Sequence, residues 1–215
     1  MRTHGLYPIV DVAAVRARGL EVLDFATRLL AARPALLQLR GKALGARETL
    51  ELARALVPLC RAAGTRFFVN DRPDLAVLAG ADGVHVGQND LSVADVRRFA
   101  PALALGVSTH DARELEAALA ERPDYVAFGP VFATSTKANP EPVVGVERLA
   151  AAKARADAAG VPLVAIGGID RGRAGELARL ELLGAVIGAL VPAGGDPSQV
   201  TELARELTRA LGASD

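Results

Sequence analysis

Short, almost unbroken apolar runs alternate with longer stretches in which apolar residues recur every three or four positions, and the alternation occurs eight times. The short runs lie at residues 6–10, 36–39, 67–69, 83–86, 104–107, 125–128, 163–166 and 185–190, and predict strands. The amphipathic stretches lie at 20–32, 46–63, 73–79, 92–99, 111–120, 146–159, 171–180 and 197–211, and predict helices. Start signals stand where they are needed: Ser92, Asp111, and Asp196 followed by Pro197. Gly64, Gly80 and Gly160 mark helix ends. Glu181-Leu-Leu-Gly carries no clear turn signal, so the boundary before the last strand is the least marked.

The strand candidates lack the apolar–polar alternation of a sheet with one wet face. They read as parallel strands buried on both sides. Eight strand–helix units with right-handed crossovers predict a single closed (β/α)8 TIM barrel, residues 1–215, with an open doubly wound sheet as the rival arrangement.

Composition narrows the function. The 215 residues suffice for one domain with a substantial core, and with no Trp the packing falls to Ala, Leu and Val. Formal net charge is zero, which argues against a general binder of nucleic acid or anionic membranes. Cys60 is the only cysteine, so no internal disulfide forms, and a buried inert thiol is expected. Neither a targeting segment nor an apolar run of about 18 residues is visible, and a cytoplasmic protein is expected. A homo-oligomer is compatible with the sequence, which does not specify one.

Rare residues mark the chemistry. The chain has 22 arginines and only three lysines, and two of those, Lys42 and Lys137, follow strand candidates directly. Asn70, Asn89, Gln38 and Gln88 gather at the same kind of place. In a barrel the active site lies at the C-terminal strand ends. There the second strand offers Gln38, Arg40 and Lys42, and the third and fourth offer Asp71 and Asp90. Adjacent strands lie about 5 Å apart, so both carboxylates can reach one point. A hard cation such as Mg²⁺, shared with substrate phosphate, would relieve their repulsion. The fifth strand ends in Ser108 and His110; the serine suits a cap or a ligand contact, and the histidine a capping role or acid–base work. His85, inside the fourth strand, reads as a hydrogen-bonded core residue. After Gly129-Pro130 come Thr134, Ser135, Thr136 and Lys137, then a proline-bearing loop that would suit a lid. Glycines at 167, 168 and 188 let backbone N–H groups approach an anion, at the loops where such barrels recurrently bind phosphate. One phosphate would not need both sets, whereas a diphosphate leaving group facing a phosphorylated acceptor would.

In order and spacing these strand ends resemble thiamine-phosphate synthases. The resemblance rests on Gln38-Leu-Arg-Gly-Lys42, Val69-Asn-Asp71, Ala81-Asp-Gly-Val-His-Val-Gly-Gln-Asn-Asp90, Gly106-Val-Ser-Thr-His110, Gly129-Pro-Val-Phe-Ala-Thr-Ser-Thr-Lys137 and Ile166-Gly-Gly-Ile169. It implies a (β/α)8 barrel that joins a hydroxymethylpyrimidine diphosphate to a thiazole phosphate by a dissociative, Mg²⁺-assisted reaction. By resemblance Gln38, Leu39, Arg40, Gly41, Lys42, Asn70, Ser108 and Lys137 hold the pyrimidine diphosphate. Arg40, Lys42, Ser108 and Lys137 are the catalytic set, and Asp71 and Asp90 the metal ligands. Thr134, Ser135, Thr136, Gly168, Ile187 and Gly188 hold the thiazole phosphate. Gly188 departs from the family, which usually has Ser there. The thiazole tautomerase branch of the same superfamily, which uses a His, is the nearest alternative through His110. A non-catalytic phospho-ligand barrel is the alternative from another class.

Overall fold

The computed structural model describes residues 4–134 and 141–212. Among them, eight parallel strands close into one barrel, each hydrogen-bonded to its sequence neighbours and β1 to β8. The order is β1 (Gly5–Asp11), α1 (Val12–Arg16), α2 (Val22–Leu30), β2 (Leu36–Arg40), α3 (Ala46–Ala63), β3 (Arg66–Asn70), α4 (Pro73–Ala79), β4 (Gly83–Val86) and α5 (Val93–Phe99). It continues with β5 (Ala104–Thr109), α6 (Ala112–Ala120), β6 (Tyr125–Phe128), α7 (Gly145–Ala158), β7 (Leu163–Ile166), α8 (Arg171–Ala178), β8 (Leu183–Val186) and α9 (Val200–Ala210). Among the described residues no helix is long and apolar enough to cross a membrane.

The expected barrel is therefore the observed one, with local corrections. A short helix, α1, follows β1 directly and had no counterpart among the expected elements. The last strand starts at Leu183, and Gly188–Leu190 is a 3-10 turn rather than the end of a strand over 185–190. The last helix is preceded by a 3-10 turn at Pro197–Gln199. The expected caps hold: Ser92, Asp111 and Asp196 accept from the N–H groups of Asp95, Glu114 and Ser198. Gly64 and Gly80 close α3 and α4 in the left-handed conformation.

Strand alternation divides the core in two. Outward residues such as Leu37, Leu39, Val69, Val84 and Val126 pack against the helices. Inward residues, among them Tyr7, Phe68, Tyr125 and Val164, fill the barrel. Two glycines make room for the rings. A Cβ on Gly83 would stand 2.3 Å from Phe68 Cε1, and one on Gly106 would stand 2.0 Å from Tyr125 Cζ. Edge-on packing joins Tyr7, Phe68 and Tyr125, with centroids 5.7–6.5 Å apart. This plug closes the barrel beneath the C-terminal strand ends, so the cleft above has a rigid floor.

Candidate active site

The cleft at the C-terminal strand ends has two lobes that meet at Ser108, His110 and Glu141. The polar lobe, about 640 Å³, takes Gln38, Arg40, Lys42, Asn70, Asp71 and Asp90. The second lobe, about 300 Å³, takes Thr134, Gly168, Ile187 and Gly188 with the ends of β6, β7 and β8. Expected site residues thus gather from strands far apart in sequence.

In the polar lobe, Gln38 and Arg40 face inward because they share a strand face. Leu39, between them, buries its side chain in the outer core, and only its backbone is near the cleft wall. Gly41 packs beside Leu44 rather than lining either lobe. Arg40 pairs with the buried Asp11 carboxylate, which also caps α1 by accepting from Ala14 N at 2.9 Å. That pair orders a guanidinium that would otherwise be floppy.

Asp71 sits in the left-handed region (φ 62°), its N–H donating to the His85 carbonyl at 2.7 Å. The bend turns its carboxylate towards Lys42, whose Nζ is 3.1 Å from Oδ2. Burial pushes the Asp71 carboxyl above the usual carboxylate range, the neighbouring Asp90 adds to the rise, and Lys42 opposes it. Asp90 is itself anchored, Oδ2 accepting from Gly87 N at 2.7 Å. A partly buried carboxylate raised by a second one beside it is a fit for a divalent cation. Among the described residues no group of three or more His, Cys, Asp or Glu makes a full protein cage. The donor set therefore suits an ion completed by water and phosphate oxygens.

Beneath both lobes runs a continuous buried hydrogen-bond chain. Gln38 Nε2 donates to the Tyr7 hydroxyl at 2.9 Å, which meets the Tyr125 hydroxyl at 3.0 Å. That hydroxyl lies 2.8 Å from His85 Nδ1, and His85 Nε2 lies 2.8 Å from Ser108 Oγ. His85 is thus the hydrogen-bonded interior residue expected, and it also positions a site hydroxyl. Burial raises Tyr7 to about 12 and Tyr125 well above its ordinary value, so both phenols stay protonated at neutral pH. Gln88 Nε2 donates to the Ser108 carbonyl at 2.6 Å, fixing the serine from a second side.

The second lobe is shaped by main chain. Gly167 (φ 101°) and Gly168 (φ 64°) lie against 130–133, and an added Cβ would stand 2.4 Å from Pro130 Cβ or from the Ala133 carbonyl oxygen. No side chain fits there, so the β7 loop presents backbone to the cleft. His110 is tied to α6, with Nδ1 and N both 2.9 Å from Glu114 Oε2. Ser135, Thr136 and Lys137 lie outside the described residues. Three lining residues, Tyr7, Glu141 and Arg173, escaped the sequence reading, as did Tyr125 buried beneath them. Asp11 behind them escaped it too. Tyr7 and Tyr125 sit within apolar strands, where inward parity is the only signal, whereas Asp11 ends β1 and its position at a strand end was the available signal.

A closed (β/α)8 barrel with a charged lobe and a glycine-walled lobe side by side has the chemistry that suits phosphorylated ligands. Comparison with known proteins narrows this further. The family model described as thiamine monophosphate synthase matches residues 6–190, and the chain belongs to that family. A thiamine-phosphate synthase from Laribacter hongkongensis is 44% identical over 165 residues, 76% of each chain. One from Chloroflexus aurantiacus is 38% identical over 207 residues, covering 96% of this chain and 91% of its own. The solved thiamine phosphate pyrophosphorylase from Pyrococcus furiosus superposes with a TM-score of 0.83 at 30% identity, covering 98% of this chain and 96% of that one.

Proposed function

We propose that the chain, acting as one catalytic domain in the cytoplasm, is a thiamine-phosphate synthase. It would transfer the hydroxymethylpyrimidine group of the pyrimidine diphosphate to the ring nitrogen of thiazole phosphate. The observation that carries this reading is the pair of unlike lobes meeting at Ser108, one rich in charge and the other walled by glycine backbone. A diphosphate leaving group and a phosphorylated acceptor each find a lobe of suitable chemistry.

In this reading Gln38, Arg40, Lys42, Asn70, Ser108 and Lys137 bind the pyrimidine diphosphate, and Asp71 and Asp90 would hold Mg²⁺. The ion's contribution is to neutralise charge that builds on the departing diphosphate. The methylene C–O bond breaks first, its electron pair leaving with diphosphate, and the thiazole nitrogen pair then forms the new C–N bond. Ser108 Oγ meets His85, but the other nitrogen of that ring is engaged by the Tyr125 phenol, which stays protonated, rather than by an orienting carboxylate. The pair is suited to positioning a hydroxyl, which favours this dissociative order over a covalent enzyme intermediate. Arg40, held by Asp11, and Lys42, shared with Asp71, supply fixed and movable positive charge respectively. Ser108, positioned by His85, orients the donor where the lobes meet. Thr134, Ser135, Thr136, Gly168, Ile187 and Gly188 hold the acceptor phosphate.

The test is direct. The protein with both phosphorylated substrates and Mg²⁺ should form thiamine phosphate and diphosphate in equal amounts, and a chelator should stop the reaction. Absence of diphosphate release from the fresh protein would sink the reading; turnover indifferent to chelation would remove the metal from it.

A further inference from the structure

Among the described residues that line the glycine-walled lobe, Arg173 is the only lysine or arginine. The same lobe carries two carboxylates, Glu141 and Asp170. A phosphate monoester is mostly a dianion near neutral pH. Without Arg173, the described lining would meet that charge with glycine N–H groups, hydroxyls and His110 against two acidic neighbours. The lobe needs a cation, and one is built into it.

Arg173 stands in the first turn of α8, yet its side chain reaches back over the β7 loop. Nη1 donates to the Gly168 carbonyl at 2.9 Å, and the guanidinium carbon lies 5.3 Å from the centroid of the Phe132 ring. Its backbone N–H donates to Asp170 Oδ1 at 3.0 Å, while the nearest guanidinium contact to that carboxylate is 3.7 Å, beyond a hydrogen bond. The head is thus held at the point where the glycine backbone of the β7 loop packs beneath 130–133. A guanidinium has five N–H donors, and the Gly168 bond uses one. Its planar fork matches two phosphate oxygens at once, and the aromatic face behind it leaves the fork's edge open.

We propose that Arg173 binds the phosphate of the acceptor and sets the preference of this enzyme for a phosphorylated over an unphosphorylated thiazole. The proposal rests on the synthase reading above. It gives the backbone-walled lobe the fixed charge that its glycines and hydroxyls lack. It also couples acceptor binding to the 130–133 segment, because the same guanidinium stacks on Phe132.

Steady-state kinetics of the full chain with thiazole phosphate and with the thiazole alcohol separates this role from that of a strut. Arg173→Gln keeps an N–H donor for the Gly168 carbonyl but removes the charge. It should raise KM for thiazole phosphate about 10-fold or more, and lower the phosphate-to-alcohol ratio of kcat/KM by a similar factor. KM for the pyrimidine diphosphate should move less than about twofold. Arg173→Lys, which keeps a charge without the fork, should recover part of the ratio. Equal losses with both acceptors, or a Gln variant with an unchanged ratio, would overturn the proposal while leaving the synthase reading intact. A wild-type protein that makes no thiamine phosphate would remove both.

Discussion

At the ends of β2, β3 and β4 the cleft is walled by side chains, whereas at the ends of β7 and β8 it is walled mostly by main chain. The first wall spends buried charge: Asp11 under Arg40, and Asp71 between Asp90 and Lys42. The second spends conformation: glycines at φ 101° and 64° packed where a methyl group would not fit. The difference follows from what each wall must tolerate. A group whose charge grows during the reaction is best met by preorganised ions, while a phosphate that only has to be seated is served by backbone dipoles and one cation. Substitutions in the first wall should therefore act on kcat, and those in the second on acceptor KM and on stability.

The sharpest break is Asp71→Asn. It removes one of the two carboxylates proposed to hold the metal, together with the repulsion from Asp90, so kcat should fall by about 10²- to 10³-fold while the melting temperature stays level or rises. A clear loss of stability in that variant would show that the charged wall is structural. The next effect belongs to the second wall. Gly168→Ala introduces strain at φ 64° and a clash with the Ala133 carbonyl oxygen. It should cost about 2 kcal/mol, seen as a melting temperature lower by roughly 4–8 °C, with a raised acceptor KM and a smaller change in kcat. A kcat defect larger than the KM defect would blur the distinction between the walls.

The smallest effect concerns the floor that both share. Tyr7 is raised to about 12 in the folded protein and would titrate near 10 when unfolded. The folded state therefore holds its proton more tightly, and that stabilisation is complete below about pH 10 and lost as pH rises towards 12. Denaturation midpoints measured across that range should decline, and Tyr7→Phe should flatten the decline. An unchanged slope would separate the phenol from the stability of the floor.

Much of this was legible in the chain. Buried parallel strands announce themselves as unbroken apolar runs, and the rare lysines, amides and paired Asp71 and Asp90 stood at their ends. Other features were hidden for physical reasons. Tyr7 lies inside an apolar run and faces the barrel only because of strand parity, while Asp11 stands at the end of that run, where its burial under Arg40 is not visible in the sequence. The start of β8 was obscured because Glu181, not a glycine, takes the left-handed turn at φ 49°. Arg33 and Arg122 do the same at φ 48° and 50° in the turns before β2 and β6. Arg173 looked like one arginine among 22, and only its reach back across Gly168 to Phe132 distinguishes it.

The touching hydroxyls of Tyr7 and Tyr125 have an optical consequence. The chain contains no tryptophan, and these are its two tyrosines. Its near-ultraviolet absorption and emission therefore originate chiefly at the centre of the barrel, one hydrogen bond from Gln38 and two from Ser108. Ligand entry that reorients either end of that chain would change the light the protein emits. The native enzyme thus carries its own label at the base of the cleft, and substrate binding can be followed without attaching a dye.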